Sequence, residues 1–237
     1  MALPDVVTRD EWLSARKALL EKEKEATRAR DRLNAERRNL PMVEVTKRYE
    51  LDGPQGRVSL LDVFQGRRQL IVYHFMFGPD WETGCPSCTA GIDEVSAGFL
   101  RHLHSRDTTF AVVARAPLAK LQQYQRERGW EHIPFYSSYG SDFNHDFRVT
   151  IDPSVAPPEY NYRPMPDAEP GEAPGRSCFL RDGDRIFHTY SQYARGLEST
   201  GGSYYFLDLT ALGRQEEWEE PKDRAVSPRG AVPDFSE

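Results

Sequence analysis

From residue 8 to about residue 40, apolar side chains return every seventh position, at Trp12, Leu19, Ala26, Leu33 and Leu40, on a background dense in Glu, Lys and Arg. That spacing predicts one long helix carrying a narrow apolar stripe. Thr8 with Glu11 makes a capping box, Val7 and Trp12 flank it as a staple, and Pro41 stops the helix. Ala15 and Ala29 lie beside the stripe, but Lys22 and Glu36 interrupt a second seam. Two readings stand. The stripe docks the helix on its own domain, or the helix is an arm that packs on a second subunit and makes a homodimer.

Beyond Val43 the period falls to two. Val43 to Val45 and Tyr49 to Leu51 alternate, Asp52-Gly53-Pro54-Gln55-Gly56 is a turn, and Arg57-Val58-Ser59 leads on, so a hairpin is expected. Ser59 then caps a short helix through Leu60, Leu61, Val63 and Phe64 that ends at Gly66. Gln69 to Phe77 is nearly continuous in apolar and aromatic residues, which is how a central buried strand reads. A loop from Gly78 to Gly84 precedes one helix over about 86–104, with Ile92, Val95, Phe99 and Leu103 on one face. Thr108 to Ala114 is a second buried strand, and Leu118 to Arg128 a second amphipathic helix. Strand, helix, strand, helix predicts an α/β fold with parallel pairing.

A short apolar segment, Ile133 to Tyr136, follows. Residues 152–176 are rich in Pro, Gly and acidic side chains, show no period, and read as a long irregular loop. Ser177 to Leu180 and Arg185 to Tyr190 flank Arg181-Asp182-Gly183-Asp184 as a hairpin. Ser203 to Leu212 is a last short helix. The expected organisation is a helical arm over 1–41, one domain over 42–218, and a charged, proline-punctuated tail over 219–237.

Composition narrows the function. Apolar residues make up 38% of the 237 and charged residues 29%, which fits a polar globular chain long enough to bury a core. No run approaches the roughly 20 apolar residues of a membrane-spanning helix. Met1-Ala2-Leu3-Pro4-Asp5 has neither the basic nor the apolar region of a secretory signal, so a cytoplasmic location is expected and no membrane partner. The net charge of −6 makes a poor nonspecific nucleic-acid binder. Three cysteines, at 85, 88 and 178, are an odd count that argues against a disulfide framework.

The chemistry is carried by Cys85-Pro86-Ser87-Cys88, which stands at the step from loop to helix after a buried strand. The unpaired N–H groups of a helix start favour an anion, so a thiolate there is nucleophilic near neutral pH. Pro86 suits the first helical turn. A three-residue offset brings the second sulfur back to the first, ready to resolve a mixed disulfide into an internal one. Gly84 is expected to let the backbone turn tightly beside the nucleophile. Metal ligation is the rival reading, but there is no second Cys-x-x-Cys, and Cys178 with His74, His145 or His188 makes no recognisable ligand spacing. Thr89 stands where covalent haem attachment needs His. No metal and no cofactor is expected.

The run Tyr49 to Gly66, the strand Leu70 to Phe77, the dithiol and the hairpin Cys178 to Tyr190 resemble the thioredoxin-like and peroxiredoxin-like plan. Val7 to Trp12, Trp81 to Cys88, Tyr136-Ser137-Ser138 with Asp142-Phe143-Asn144, and Leu207-Asp208-Leu209 with Gly213-Arg214 resemble, across nearly the whole chain, a bacterial thioredoxin-like family of unknown function labelled predicted dithiol–disulfide oxidoreductases. The resemblance implies a central mixed sheet flanked by helices, with a long N-terminal helix and a proline-rich insertion before the last hairpin. It implies an attacking Cys85 and a buried resolving Cys88. The cis-proline of thioredoxins is replaced by Gly175-Arg176-Ser177, and Arg176 resembles an arginine of peroxiredoxins. Their Pro-x-x-x-Thr-x-x-Cys motif is missing: counting back from Cys88 meets Cys85 and Trp81, and from Cys85 meets Glu82 and Gly78.

Around the dithiol, Trp81 and Asp80 are candidates to shape a substrate pocket, and Arg176 to tune a thiol or hold an acidic substrate. A packed loop Trp and a turn Asp explain the first two equally well. His74 is expected in the core and Cys178 as a buried structural thiol. Asp142, Asn144, His145 and Asp146 form a polar cluster that a capped turn also explains. Tyr160, Tyr162, Tyr204 and Tyr205 are candidates to line a site under the proline-rich loop. The functional expectation is a thiol–disulfide oxidoreductase acting on a disulfide-containing protein or small molecule, with a separate reductant recycling it. A ligand-binding module on the same scaffold, or an enzyme using the thiolate on another small molecule, are the alternatives.

Overall fold

The computed structural model describes residues 3–200 and 202–222, except the side chain of Tyr204. Most of the expected tail, 223–237, lies outside the described residues. The chain divides into two compact units, one of residues 3–41 with 206–222 and one of residues 42–205. Residues 206–218, expected in the second unit, group with the first.

In the first unit, α1 (Arg9–Arg38) starts at the anticipated capping box. Thr8 and Glu11 exchange hydrogen bonds through side chain and backbone, and Arg37 and Arg38 complement the last turn. None of the 30 residues of α1 is buried. Later in this unit, Arg214 reaches both carboxylate oxygens of Asp208 at 2.8 Å.

The second unit is built on an eight-stranded sheet. Its elements run β1 (Val43–Glu44), β2 (Glu50–Gly53), β3 (Gly56–Ser59), α2 (Leu60–Val63), β4 (Gln69–His74), α3 (Pro86–Asp93), α4 (Ala97–His104), β5 (Thr108–Ala114), α5 (Leu118–Arg128), β6 (Phe135–Ser137), α6 (Phe143–Asp146), β7 (Thr150–Ile151), β8 (Glu159–Tyr160), β9 (Arg163–Pro164), β10 (Gly171–Glu172), β11 (Gly175–Asp182) and β12 (Arg185–Tyr193). A 3-10 segment, Ala194–Thr200, follows, and α7 (Ser203–Leu207) spans the boundary between the units.

The sheet order is β1-β12-β11-β4-β5-β6-β2-β3. β4, β5 and β6 are parallel, while β11, β12 and β1 on one side and β2 and β3 on the other run antiparallel. The arrangement β12-β11-β4-β5, with the parallel pair joined through α3 and α4, is the thioredoxin-like one. It is the central mixed sheet flanked by helices that the resemblance implied.

Alternation along the central strands sorts side chains between two cores. Leu70, Val72, Ala111 and Val113 join Leu51, Phe64, Phe143 and Phe147 on one face. Tyr73, Phe75, Phe110, Val112 and Ala114 join Cys88, Ile92, Leu121 and Trp130 on the other. All seven residues of β5 are buried, as a strand covered on both faces requires.

Several expectations are corrected. The helix over 86–104 is two helices, because Ser96 accepts a hydrogen bond from the Phe99 N–H and caps a new start inside the apolar period. Val43–Glu44 does not take part in the early hairpin. It pairs with His188 and Phe187 at the far edge of the sheet. The stretch 152–176 is not irregular throughout: β8 pairs with β9, β10 pairs with β7, and β11 has begun by Gly175. Strands of two residues are too short to show a period. The last helix ends at Leu207, not Leu212. The second hairpin is longer than expected, and its turn rests on Gly183, whose φ of +59° suits glycine.

Candidate active site

Cys85 is held from behind by the segment that follows β4. Its N–H donates to the Met76 carbonyl at 2.9 Å, and its own carbonyl accepts from the Thr89 N–H at 2.9 Å, which opens α3. Cys85 is the N-cap of α3 and Pro86 occupies the first turn. Both cysteines are free thiols. Cys85 is half-buried, whereas Cys88 lies in the core with 2% of its surface exposed.

Gly84 is needed for a reason other than turning. Its φ is not in the left-handed region, but a Cβ there would lie 2.5 and 2.6 Å from two ring atoms of Phe75. The backbone beside Cys85 therefore packs directly against an aromatic ring.

The two sulfurs polarise one another. The Cys88 thiol is hydrogen-bonded to the Cys85 sulfur and does most to hold it as an anion. Burial opposes this, and the backbone N–H groups of Cys88 and Ser87 add to it, so Cys85 falls from 9.0 to about 6. Cys88 moves the other way. Its bond to the Cys85 sulfur, its burial and the negative charge beside it raise it well above 9.0. The result is an accessible thiolate next to a buried, protonated thiol.

The loop of residues 78–84 is fastened by Lys120 of α5, whose Nζ donates to the carbonyls of Pro79 at 2.7 Å and Trp81 at 2.9 Å. Trp81 is half-buried against the Cys88 core, with its indole edge on Gly78. Asp80 is exposed, and among the described residues no hydrogen bond or ion pair ties it to the dithiol. Arg176 sits opposite Tyr73 in the β11–β4 register. Its guanidinium lies 5.0 Å from the Tyr73 ring centre and donates to the Leu197 carbonyl at 2.9 Å. The groups that lower Cys85 are Cys88 and the start of α3, whereas the charge of Arg176 bears on Tyr73 and on Cys88.

Tyr73 escaped the sequence analysis, where it was one more aromatic residue in an apolar strand. Strand parity was the available signal: Tyr73 and Phe75 share the face covered by α3. Thr89 and Tyr124 also meet there, their hydroxyls 2.8 Å apart.

The remaining candidates belong to the scaffold. His74 is buried, as expected. Its Nε2 meets Ser177 Oγ at 2.8 Å, Ser177 meets Ser191 Oγ at 2.8 Å, and Ser191 meets His188 Nε2 at 2.7 Å. Asp142 and Asp146 take Lys47, Asp146 also takes the Tyr49 hydroxyl, and Asn144 accepts from Ser138. Tyr160 and Tyr162 donate to the carbonyls of Pro174 and Ser191 and edge the ring of Tyr193, which pins the insertion to β12. Tyr205 donates to the Ser199 carbonyl, and the side chain of Tyr204 lies outside the described residues. Cys178 is half-buried rather than sealed in the core, because it lies on the β11 face shared with Arg176 and Leu180, which alternates with the buried face of Ser177 and Phe179. Among the described residues no group of His, Cys, Asp or Glu side chains is arranged to hold a metal ion, and no helix is long and apolar enough to cross a membrane.

Sheet and site together define a protein of thioredoxin-like fold with a polarised Cys-x-x-Cys at a helix start. The chain belongs to the family described as bacterial protein of unknown function (DUF899), whose model matches residues 1–228. No curated protein matches it. Among solved structures, the bacterioferritin comigratory protein of Xanthomonas campestris is similar at 13% identity and a TM-score of 0.41, over 65% of this chain and 86% of that one. A variant of peroxiredoxin 6 of Arenicola marina is similar at 12% identity and a TM-score of 0.47, over 65% of each chain. Peroxidoxin BcpB of Mycobacterium tuberculosis is similar at 14% identity and a TM-score of 0.43, over 66% of this chain and 86% of that one.

Proposed function

We propose that this protein is a cytoplasmic thiol–disulfide oxidoreductase working through Cys85 and Cys88. The observation that carries the reading is the polarity of the pair: a half-exposed Cys85 held as thiolate and a buried Cys88 hydrogen-bonded to it as thiol. The Cys85 thiolate attacks one sulfur of a substrate disulfide. One sulfur–sulfur bond forms, the substrate bond breaks, and the departing thiolate takes a proton from solvent. Cys88 then gives up its proton to solvent and attacks Cys85, releasing the second substrate thiol and leaving a Cys85–Cys88 disulfide. Two electrons have passed from the dithiol to the substrate, and an external dithiol reductant restores the pair. The substrate class is a disulfide-containing protein or small molecule.

Alkylation followed by intact-mass measurement tests this. After mild oxidation the protein should be lighter by two hydrogens and two fewer thiols should react, with both changes reversed by reductant. Cys85→Ser should abolish exchange while leaving the far-ultraviolet circular dichroism unchanged. Cys88→Ser should accumulate mixed disulfides on Cys85 that identify the substrate. Failure to form a reversible internal disulfide under any mild oxidant rules the proposal out.

A further inference from the structure

The step that lacks an obvious helper is the second one. Cys88 is the less acidic thiol, it is buried, and among the described residues no carboxylate or imidazole is one of the groups that act on it. What does face it is specific. The Tyr73 hydroxyl and the Met76 backbone N–H both hydrogen-bond its sulfur. Tyr73 is itself almost fully buried, and its hydroxyl lies 4.0 Å from where a Cβ on Gly91 would be, so it reaches the inner face of α3. Gly91, one turn beyond Cys88, leaves room for it. Arg176 covers the other side, stacked on the ring and anchored to Leu197. A cation over the ring face withdraws electron density from the phenol and strengthens its O–H as a donor.

Resting on the oxidoreductase reading, we propose that Tyr73 is a catalytic residue of the resolving step. Its hydroxyl donates to the Cys88 sulfur and stabilises the thiolate that must form there before the internal disulfide can close. In the reduced protein Cys88 spends its proton on the Cys85 anion. Once Cys85 is tied up in a mixed disulfide that anion is gone, and the Cys88 thiol loses its acceptor. The charge that raised Cys88 disappears with it. The two donors, Tyr73 O–H in β4 and Met76 N–H just beyond it, stay in place and now receive the negative sulfur as its proton leaves to solvent. Donors set in place before the charge develops lower the barrier without reorganisation. Cys88 attacks the Cys85 sulfur, the bond to the substrate sulfur breaks, and the electron pair departs on that sulfur.

A chromogenic aryl disulfide separates the steps. With one equivalent of dithiobis-nitrobenzoate and Cys178→Ser as background, attack by Cys85 releases one coloured thiolate and closure by Cys88 a second. Tyr73→Phe should leave the first phase unchanged and slow the second by about tenfold or more, the loss expected for one hydrogen bond to a charged sulfur. The pH midpoint of the second phase should rise by about one unit. Independently, in Cys85→Ser the ultraviolet thiolate absorbance of Cys88 should titrate at higher pH when Tyr73→Phe is added. A second phase within twofold of the parent at an unmoved midpoint overturns the assignment, as does equal slowing of both phases. A parent protein that never releases the second thiolate refutes the oxidoreductase reading itself, a different outcome from either.

Discussion

Cys85 and Cys88 share a hydrogen bond, yet one sulfur is pulled toward the anion and the other away from it. The lowering of Cys85 to about 6 has a kinetic signature. Its alkylation by iodoacetamide should rise with pH through a midpoint near 6 and be level by neutral pH, where an ordinary cysteine is still gaining reactivity. A midpoint near 9 would show that the helix start and Cys88 do not act on it. His74 makes a prediction of a different sort. Burial, with a smaller contribution from His188, lowers it from 6.5 to about 3. Its folded value is depressed, so the folded protein stays neutral there while the unfolded chain takes up a proton below pH 6.5. Stability should fall by about 1.4 kcal/mol per pH unit from this residue alone as the pH drops below 6.5, levelling off near 3. Urea unfolding between neutral pH and mild acid should show that slope, and His74→Gln should reduce it. An identical slope in the variant would assign the acid sensitivity elsewhere.

At the scale of elements, the site is a junction of β4, the 78–84 loop and α3, and its weakest tolerance is at Gly84. A methyl group there meets Phe75, itself wedged among Phe77, Tyr124, Trp130 and Phe135. Gly84→Ala should cost about 1–3 kcal/mol through overpacking and displace Cys85 from the start of α3. Denaturation midpoints read the first effect, and a slower iodoacetamide reaction of Cys85 reads the second. Wild-type stability together with wild-type reactivity would show that the ring simply moves aside. The elements also show what a one-dimensional pattern conveys. β4, β5 and α5 were legible because each carries a full period of apolar residues. The break between α3 and α4 was not, because the apolar spacing runs on through it and only Ser96 marks the new cap. The two-residue strands β7 to β10 carry no period at all, and their pairing is decided by partners far along the chain.

At the scale of the whole molecule, the full eight-stranded sheet, both cores and the dithiol lie within residues 42–205. A chain limited to those residues should retain the β-rich circular dichroism and release both aryl thiolates at rates within about twofold of the intact protein, since every group among the described residues that acts on Cys85 or Cys88 lies within them. Loss of the dithiol reaction in a folded 42–205 chain would show that the remaining residues contribute to the site. The sequence alone determined the helix start at Thr8, the parallel β4–β5 pair, the two hairpins and the position of Cys85 before α3, because each follows from local periods, caps and turns. Only the tertiary structure decided that Tyr73 faces Cys88, that Arg176 covers Tyr73, that Val43–Glu44 completes the far edge of the sheet and that Gly84 lies on Phe75. Those depend on which strands become neighbours and which faces they turn toward each other; local parity puts Tyr73 on the face of Phe75 but does not say what covers that face.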